Sequence, residues 1–332
     1  MRFGRLARGQ TLVESVVARA QAFPPRDYRR WQILGELATT DFKAAFDRAC
    51  ALIRTTEPAA MVLGAEMCDQ LFIGLREGRR FTHQAAELLR PLCGPTQDPE
   101  VLAAALPPYL QVCPEAQPLL YELLDHPDAQ VRRTVAQLVA AAGAEFAEDR
   151  QVDSLIALLD RDTDQGVREQ AAESLELILA CYPYVSQSLR IVAALAERQE
   201  DPSPRIRAAS LAGMSATDVG TTLKRLVAEL AAVPQPVWQF VDCFNRLPPF
   251  NDGAGDRDRD RDRDSDGGDA AGLCGQAHVA LRRLQAEGWP QQADPSRFPV
   301  ASERADMLAR ALAVTAPERE GVPMERRRRA RP

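Results

Sequence analysis

The residue types with the widest chemical repertoire in this sequence are three histidines and seven cysteines, and their spacing limits what they can do. His83, His126 and His278 lie far apart in the chain. Among Cys50, Cys68, Cys93, Cys113, Cys181, Cys243 and Cys274 there is no Cys-x-x-Cys pair. Cys274 and His278 are spaced to share a helix face, but two ligands do not complete a zinc site. Asp262, Asp264, Asp266 and Gly267 imitate the opening of a calcium loop, yet Leu273 stands where the bidentate Glu belongs. No GxGxxG, Walker loop or G-x-S-x-G elbow occurs. The sequence therefore predicts no metal, no cofactor and no catalytic residue. An odd cysteine count in apolar stretches reads as reduced, buried thiols in a cytoplasmic protein.

The elements that would position any site are helices. Val131-Arg132, Val167-Arg168 and Ile206-Arg207 each follow an acidic turn and precede small apolar residues, at spacings of 36 and 39. Weaker copies begin at Trp31 and Ala60, and a further unit opens at Asp98. Between the anchors run amphipathic stretches such as Gln151 to Asp160, whose apolar positions recur at helical spacing. Asp128, Asp164 and Ser203 stand where N-caps are expected. Strand patterns are nearly absent, and no run of 18 apolar residues exists to cross a membrane. A period of this length predicts stacked helix–turn–helix pairs.

Composition agrees: 45% of the 332 residues are hydrophobic and 27% charged, which is globular. The net charge of −6 is unevenly spread. Residues 1–30 balance to +5, residues 31–248 to −11, and residues 249–332 to 0. An acidic body repels a phosphate backbone, so nucleic acid is disfavoured as its ligand, although the Arg-rich ends offer a footing.

The Asp…Val-Arg-x-x-x-Ala…Leu pattern at Val131, Val167 and Ile206 resembles the HEAT repeat, in the bacterial form known as the phycobilisome-lyase-type HEAT-like repeat. The resemblance implies an all-α, armadillo-type α-solenoid of about six stacked HEAT-like helix pairs. The expected domains are a basic N-terminal segment (1–27), the solenoid (28–248), an Asp/Arg linker (249–270), a C-terminal helical segment (271–316) and a basic tail (317–332). The linker is too charged to be buried and is read as disordered. Pro107-Pro108 is expected to interrupt the unit that opens at Asp98.

The arginines of the Val-Arg pairs are expected to pair with acids at neighbouring turns. If Val131, Val167 and Ile206 face the core, residues two, three and six further on face outward. That yields Arg133, Thr134 and Gln137, then Glu169, Gln170 and Glu173, with Glu176 nearby. In HEAT solenoids this second helix lines the concave surface where partners dock. The expected partner-binding residues are therefore Arg133, Gln137, Glu169, Glu173 and Glu176, joined by Trp238 as a candidate hot spot. The function this implies is a non-catalytic protein-binding scaffold or adaptor. Two other readings stand beside it. Trp238 and Asp242 also resemble the aromatic–carboxylate pairing of HEAT-like DNA alkylpurine glycosylases, and the family name admits a chromophore lyase. The Arg-rich ends would suit an adaptor associated with nucleic acid.

Overall fold

The computed structural model describes residues 2–73, 80–141, 149–181, 187–215, 219–232, 240–241, 243, 267–287 and 301–315. Helix is the only repetitive secondary structure among them, and no strand occurs. The α-helices are α1 (Arg2–Ala20), α2 (Tyr28–Gly35), α3 (Phe42–Ile53), α4 (Pro58–Phe72), α5 (Thr82–Leu89), α6 (Pro99–Val112), α7 (Pro118–Glu122) and α8 (Ala129–Ala141). They continue as α9 (Asp149–Arg161), α10 (Gln165–Cys181), α11 (Ser188–Ala196), α12 (Pro204–Met214), α13 (Val219–Ala232), α14 (Gly267–Glu287) and α15 (Ala301–Thr315). The chain divides into two compact units, one built on Met1–Ala194 and the other on Leu195–Gln291 with Pro299–Pro332.

In the first unit the helices pair as α1/α2, α3/α4, α5/α6, α7/α8 and α9/α10, and the second helices pack in succession, α2 on α4, α4 on α6, α6 on α8, α8 on α10. Side-chain caps set several starts. Asp27, Asp41 and Asp98 accept backbone N–H groups at the openings of α2, α3 and α6. The core of the early repeats is aromatic: Phe42, Phe46, Phe72 and Phe81 lie with ring centroids 5.0–6.2 Å apart. Val131 and Val167 are fully buried, as is Ile206 in the second unit, so the anchor residues face the core as their spacing predicts.

Three boundary expectations are corrected. The basic N-terminal stretch is not an appendage, because Val13, Val16, Val17 and Ala20 are buried and α1 packs on α2 and α3. Their spacing forms an apolar stripe that the seven arginines of residues 1–30 obscure in the charge count. Pro107 and Pro108 do not interrupt α6, which runs unbroken to Val112. Proline keeps a helix-compatible φ, so the helix continues at the cost of two N–H donors and of ring contacts with the carbonyls four residues back. Finally, α14 begins at Gly267, inside the expected linker.

The C-terminal helices are part of the second unit rather than a separate segment. Ala277, Leu281 and Leu284 of α14 and Met307, Leu308, Ala311 and Leu312 of α15 join Leu211, Leu223 and Leu226 in one buried cluster. Residues 251–266 of the Asp/Arg tract, and the basic tail, lie outside the described residues.

Candidate partner-binding surface

The turns that place the second helices are built alike in three repeats. His126 Nδ1, Asp162 Oδ1 and Asp201 Oδ1 accept the N–H of Asp128, Asp164 and Ser203 at 3.1, 2.9 and 2.8 Å. Those residues are the N-caps: their side chains accept the N–H of Val131, Val167 and Ile206. The repeat arginine then closes the turn from above. Nη1 of Arg132, Arg168 and Arg207 donates to the carbonyls of His126, Asp162 and Asp201, each at 2.8–2.9 Å.

Two of these arginines also reach a carboxylate. Arg132 forms a bidentate pair with Asp162 at 2.7 and 2.8 Å, and Arg207 one with Glu229 of α13 at 2.6 and 2.8 Å. Burial would push the Asp162 carboxyl up, but the Arg132 and Asp164 hydrogen bonds and the Arg132 charge hold it below the ordinary aspartate value. Open clefts of about 620 and 460 Å³ lie beside the two clamps. Their recurrence at the same place in the repeat marks them as products of the clamp geometry. The Arg ladder is therefore structural, as expected, with Glu229 a carboxylate the sequence did not point to. His126 serves as a turn acceptor.

The predicted outward face is narrower than expected. Glu169 and Glu176 are 8% and 9% exposed, and Thr134 is buried with its hydroxyl donating to the Gln130 carbonyl. The reason is packing on two further sides. Within the first unit α8 is flanked by the second helices α6 and α10, and α10 packs on α8 and on its own partner α9, so part of the predicted face meets neighbours. Arg133 illustrates this: a Cβ added at Gly166 of α10 would lie 2.9 Å from its Nη2, so its guanidinium packs across onto the next repeat. Glu169 accepts a 2.8 Å hydrogen bond from Gln165 within α10.

What stays open is the sixth position. Gln137 is exposed and Glu173 half-buried. Ser174 Oγ donates to the Ala136 carbonyl at 3.0 Å, which sets α10 against α8 at the positions next to Glu173 and Gln137. One helical turn on, Ala141 and Leu177 are exposed, Leu177 by 45%. Leu177 was missed because its apolar type reads as core. Trp238 and Asp242 lie outside the described residues.

A second polar group sits at the other end of the first unit, on α2 and α4. Arg30 Nη2 pairs with Glu66 Oε2 at 2.6 Å, and Glu66 Oε1 accepts the Arg26 N–H at 3.0 Å. Asp69, one turn along α4, accepts from Gln111 Nε2 at 2.7 Å. Desolvation and the Glu66 charge push Asp69 up to about 6 against that hydrogen bond. Among the described residues no group of three or more His, Cys, Asp or Glu side chains could hold a metal ion. No helix among them is long and apolar enough to cross a membrane.

This architecture, helix pairs joined by capped, arginine-clamped turns, is that of an all-α helical-repeat solenoid. Residues 109–176 match the family described as HEAT repeats. Among solved structures it is similar to YibA of Escherichia coli, 17% identical over 85% of this chain and 86% of that chain with a TM-score of 0.46. It is also similar to two engineered proteins. One is 18% identical over 92% and 78% of the respective chains with a TM-score of 0.39, and the other 17% identical over 81% and 96% with a TM-score of 0.36. No curated protein matches the sequence significantly.

Proposed function

We propose that the chain is a non-catalytic cytoplasmic scaffold that docks a protein partner on the open stripe of its second helices. The observation that carries the reading is the Ser174–Ala136 bond that joins α10 to α8 next to Glu173 and Gln137, with Ala141 and Leu177 exposed one turn further on. A large apolar side chain left in water beside polar neighbours is the composition of a docking patch, with an apolar anchor and a polar rim. Arg133 supports the stripe by packing from α8 onto Gly166 of α10, and Glu169 and Glu176 lie buried beside it. No disulfide joins the six described cysteines, five of which are buried, which fits a reducing compartment.

The test is site-specific photo-crosslinking in the native host. With p-benzoylphenylalanine at Gln137 or Glu173, the same protein should be trapped from both positions. The same probe at exposed Ala157 on α9 should trap nothing. Trapping from Ala157 and not from the stripe would refute the reading.

A further inference from the structure

Arg132, Arg168 and Arg207 hold one register position in three repeats, each directly after a fully buried anchor. Each uses Nη1 on its own turn. That atom donates to the carbonyls of His126 and Pro127 at 2.8 and 3.0 Å, of Asp162 and Thr163 at 2.9 and 3.3 Å, and of Asp201 and Pro202 at 2.9 and 3.2 Å. Two carbonyls on one nitrogen fix the guanidinium, whose planar fork then presents its other edge, Nε and Nη2, in a set direction.

In two repeats that edge meets a carboxylate. Arg132 donates from Nε and Nη2 to the two Asp162 oxygens at 2.7 and 2.8 Å. Arg207 donates from the same two atoms to the Glu229 oxygens at 2.6 and 2.8 Å. The same edge of Arg168 makes no hydrogen bond or ion pair among the described residues, although the side chain is half-buried. The carboxylates of its own turn are engaged elsewhere. Asp162 is held by Arg132 and the Asp164 N–H, and Asp164 caps α10 by accepting the Val167 N–H.

We propose that the Nε–Nη2 edge of Arg168 is a carboxylate-binding site, which takes an acidic side chain or the C-terminal carboxylate of a protein partner through two parallel hydrogen bonds. Planar, bidentate pairing of this kind adds geometric specificity as well as attraction. The guanidinium is already ordered by the Asp162 and Thr163 carbonyls, so little side-chain freedom remains to be lost on binding. The −11 balance of residues 31–248 does not forbid the pair, because Arg132 and Arg207 hold carboxylates within the same acidic stretch. The site lies in the first turn of α10 and goes beyond the docking stripe, on which it does not depend.

The experiment uses the full chain with isotopically labelled arginine, in which each guanidinium reports through its Nε–H resonance. Arg168→Lys and Arg207→Lys, which keep the charge and lose the fork, identify the two signals by their disappearance. Should Arg168→Lys lose helicity, Arg168→Gln serves the same assignment. In the free chain the Arg168 signal should lie upfield of the Arg207 signal. Acetyl-Ala-Glu-Ala amide, with a side-chain carboxylate, or acetyl-Ala-Ala-Ala, with a terminal one, should move it downfield toward the Arg207 position while Arg207 stays in place. The peptide that moves it further names the source of the carboxylate. Acetyl-Ala-Gln-Ala amide should leave it unmoved.

An Arg168 signal that already lies with that of Arg207 in the free chain would overturn the proposal, because the edge then holds a carboxylate of the chain itself. An equal drift of all arginine signals with either acid, or a response to inorganic phosphate alone, would also overturn it. Crosslinking from Gln137 and Glu173 tests the stripe independently of each of these results.

Discussion

Arg132→Ala should destabilise the first unit by about 3–5 kcal/mol, the cost of stranding a buried partner of an ion pair. Arg132 and Asp162 side chains are only 13% and 4% exposed. The substitution leaves the Asp162 carboxylate with the Asp164 N–H as its remaining hydrogen bond and strips the His126 and Pro127 carbonyls of their donor. Arg168→Ala removes only bonds to the Asp162 and Thr163 carbonyls and should cost about 1.5–3 kcal/mol. Urea unfolding of the full chain, followed by far-ultraviolet circular dichroism, separates the two.

The pH dependence carries a sign as well. Asp162 titrates below its ordinary value of 3.8 in the folded chain, so the pair's contribution is present above pH 3.8. It is lost as the pH falls through the depressed folded-state value. Arg132→Ala should therefore lose less stability on acidification than the unmodified chain. Equal losses for Arg132→Ala and Arg168→Ala would show that the carboxylate is not what the clamp secures.

Phe46→Ala should cost about 3–5 kcal/mol, because it empties the centre of the early core. Phe46 is fully buried, with the Phe72 ring edge-on at 6.0 Å and the Phe81 ring at 5.0 Å. It sits on α3 and holds α4 and the start of α5, so the cavity is lined from three elements that cannot all collapse inward. Phe46→Leu keeps most of the volume and should cost much less. A loss below about 1 kcal/mol for the alanine variant would show that the first repeats do not depend on this cluster.

The architecture was legible where the physics is local. An N-cap needs a short oxygen-bearing side chain three residues before the anchor, so Asp128, Asp164 and Ser203 announced their helices, and the anchors announced the core. Exposure was less legible because it is not local. Glu169 and Glu176 are carboxylates on good helix-forming ground, and nothing in their residue type says that they are 8% and 9% exposed.

Only the packing of successive second helices, fixed by contacts such as Ser174 to Ala136, leaves Gln137 and Glu173 open while closing the positions beside them. The same limit hid α1, whose buried valines are outvoted by arginines in a charge count. That Arg26 rather than glycine would take a left-handed backbone position, with φ at 62°, depended on Glu66, forty residues away.

The docking stripe itself is tested most directly by hydrogen–deuterium exchange of the full chain with and without the partner trapped from Gln137 and Glu173. Slowed exchange should fall on α8 and α10 around residues 133–141 and 170–178, with α7 and α9 exchanging as in the free chain. Protection confined to α7 and α9, or to the unit that begins at Leu195, would contradict docking on the second helices.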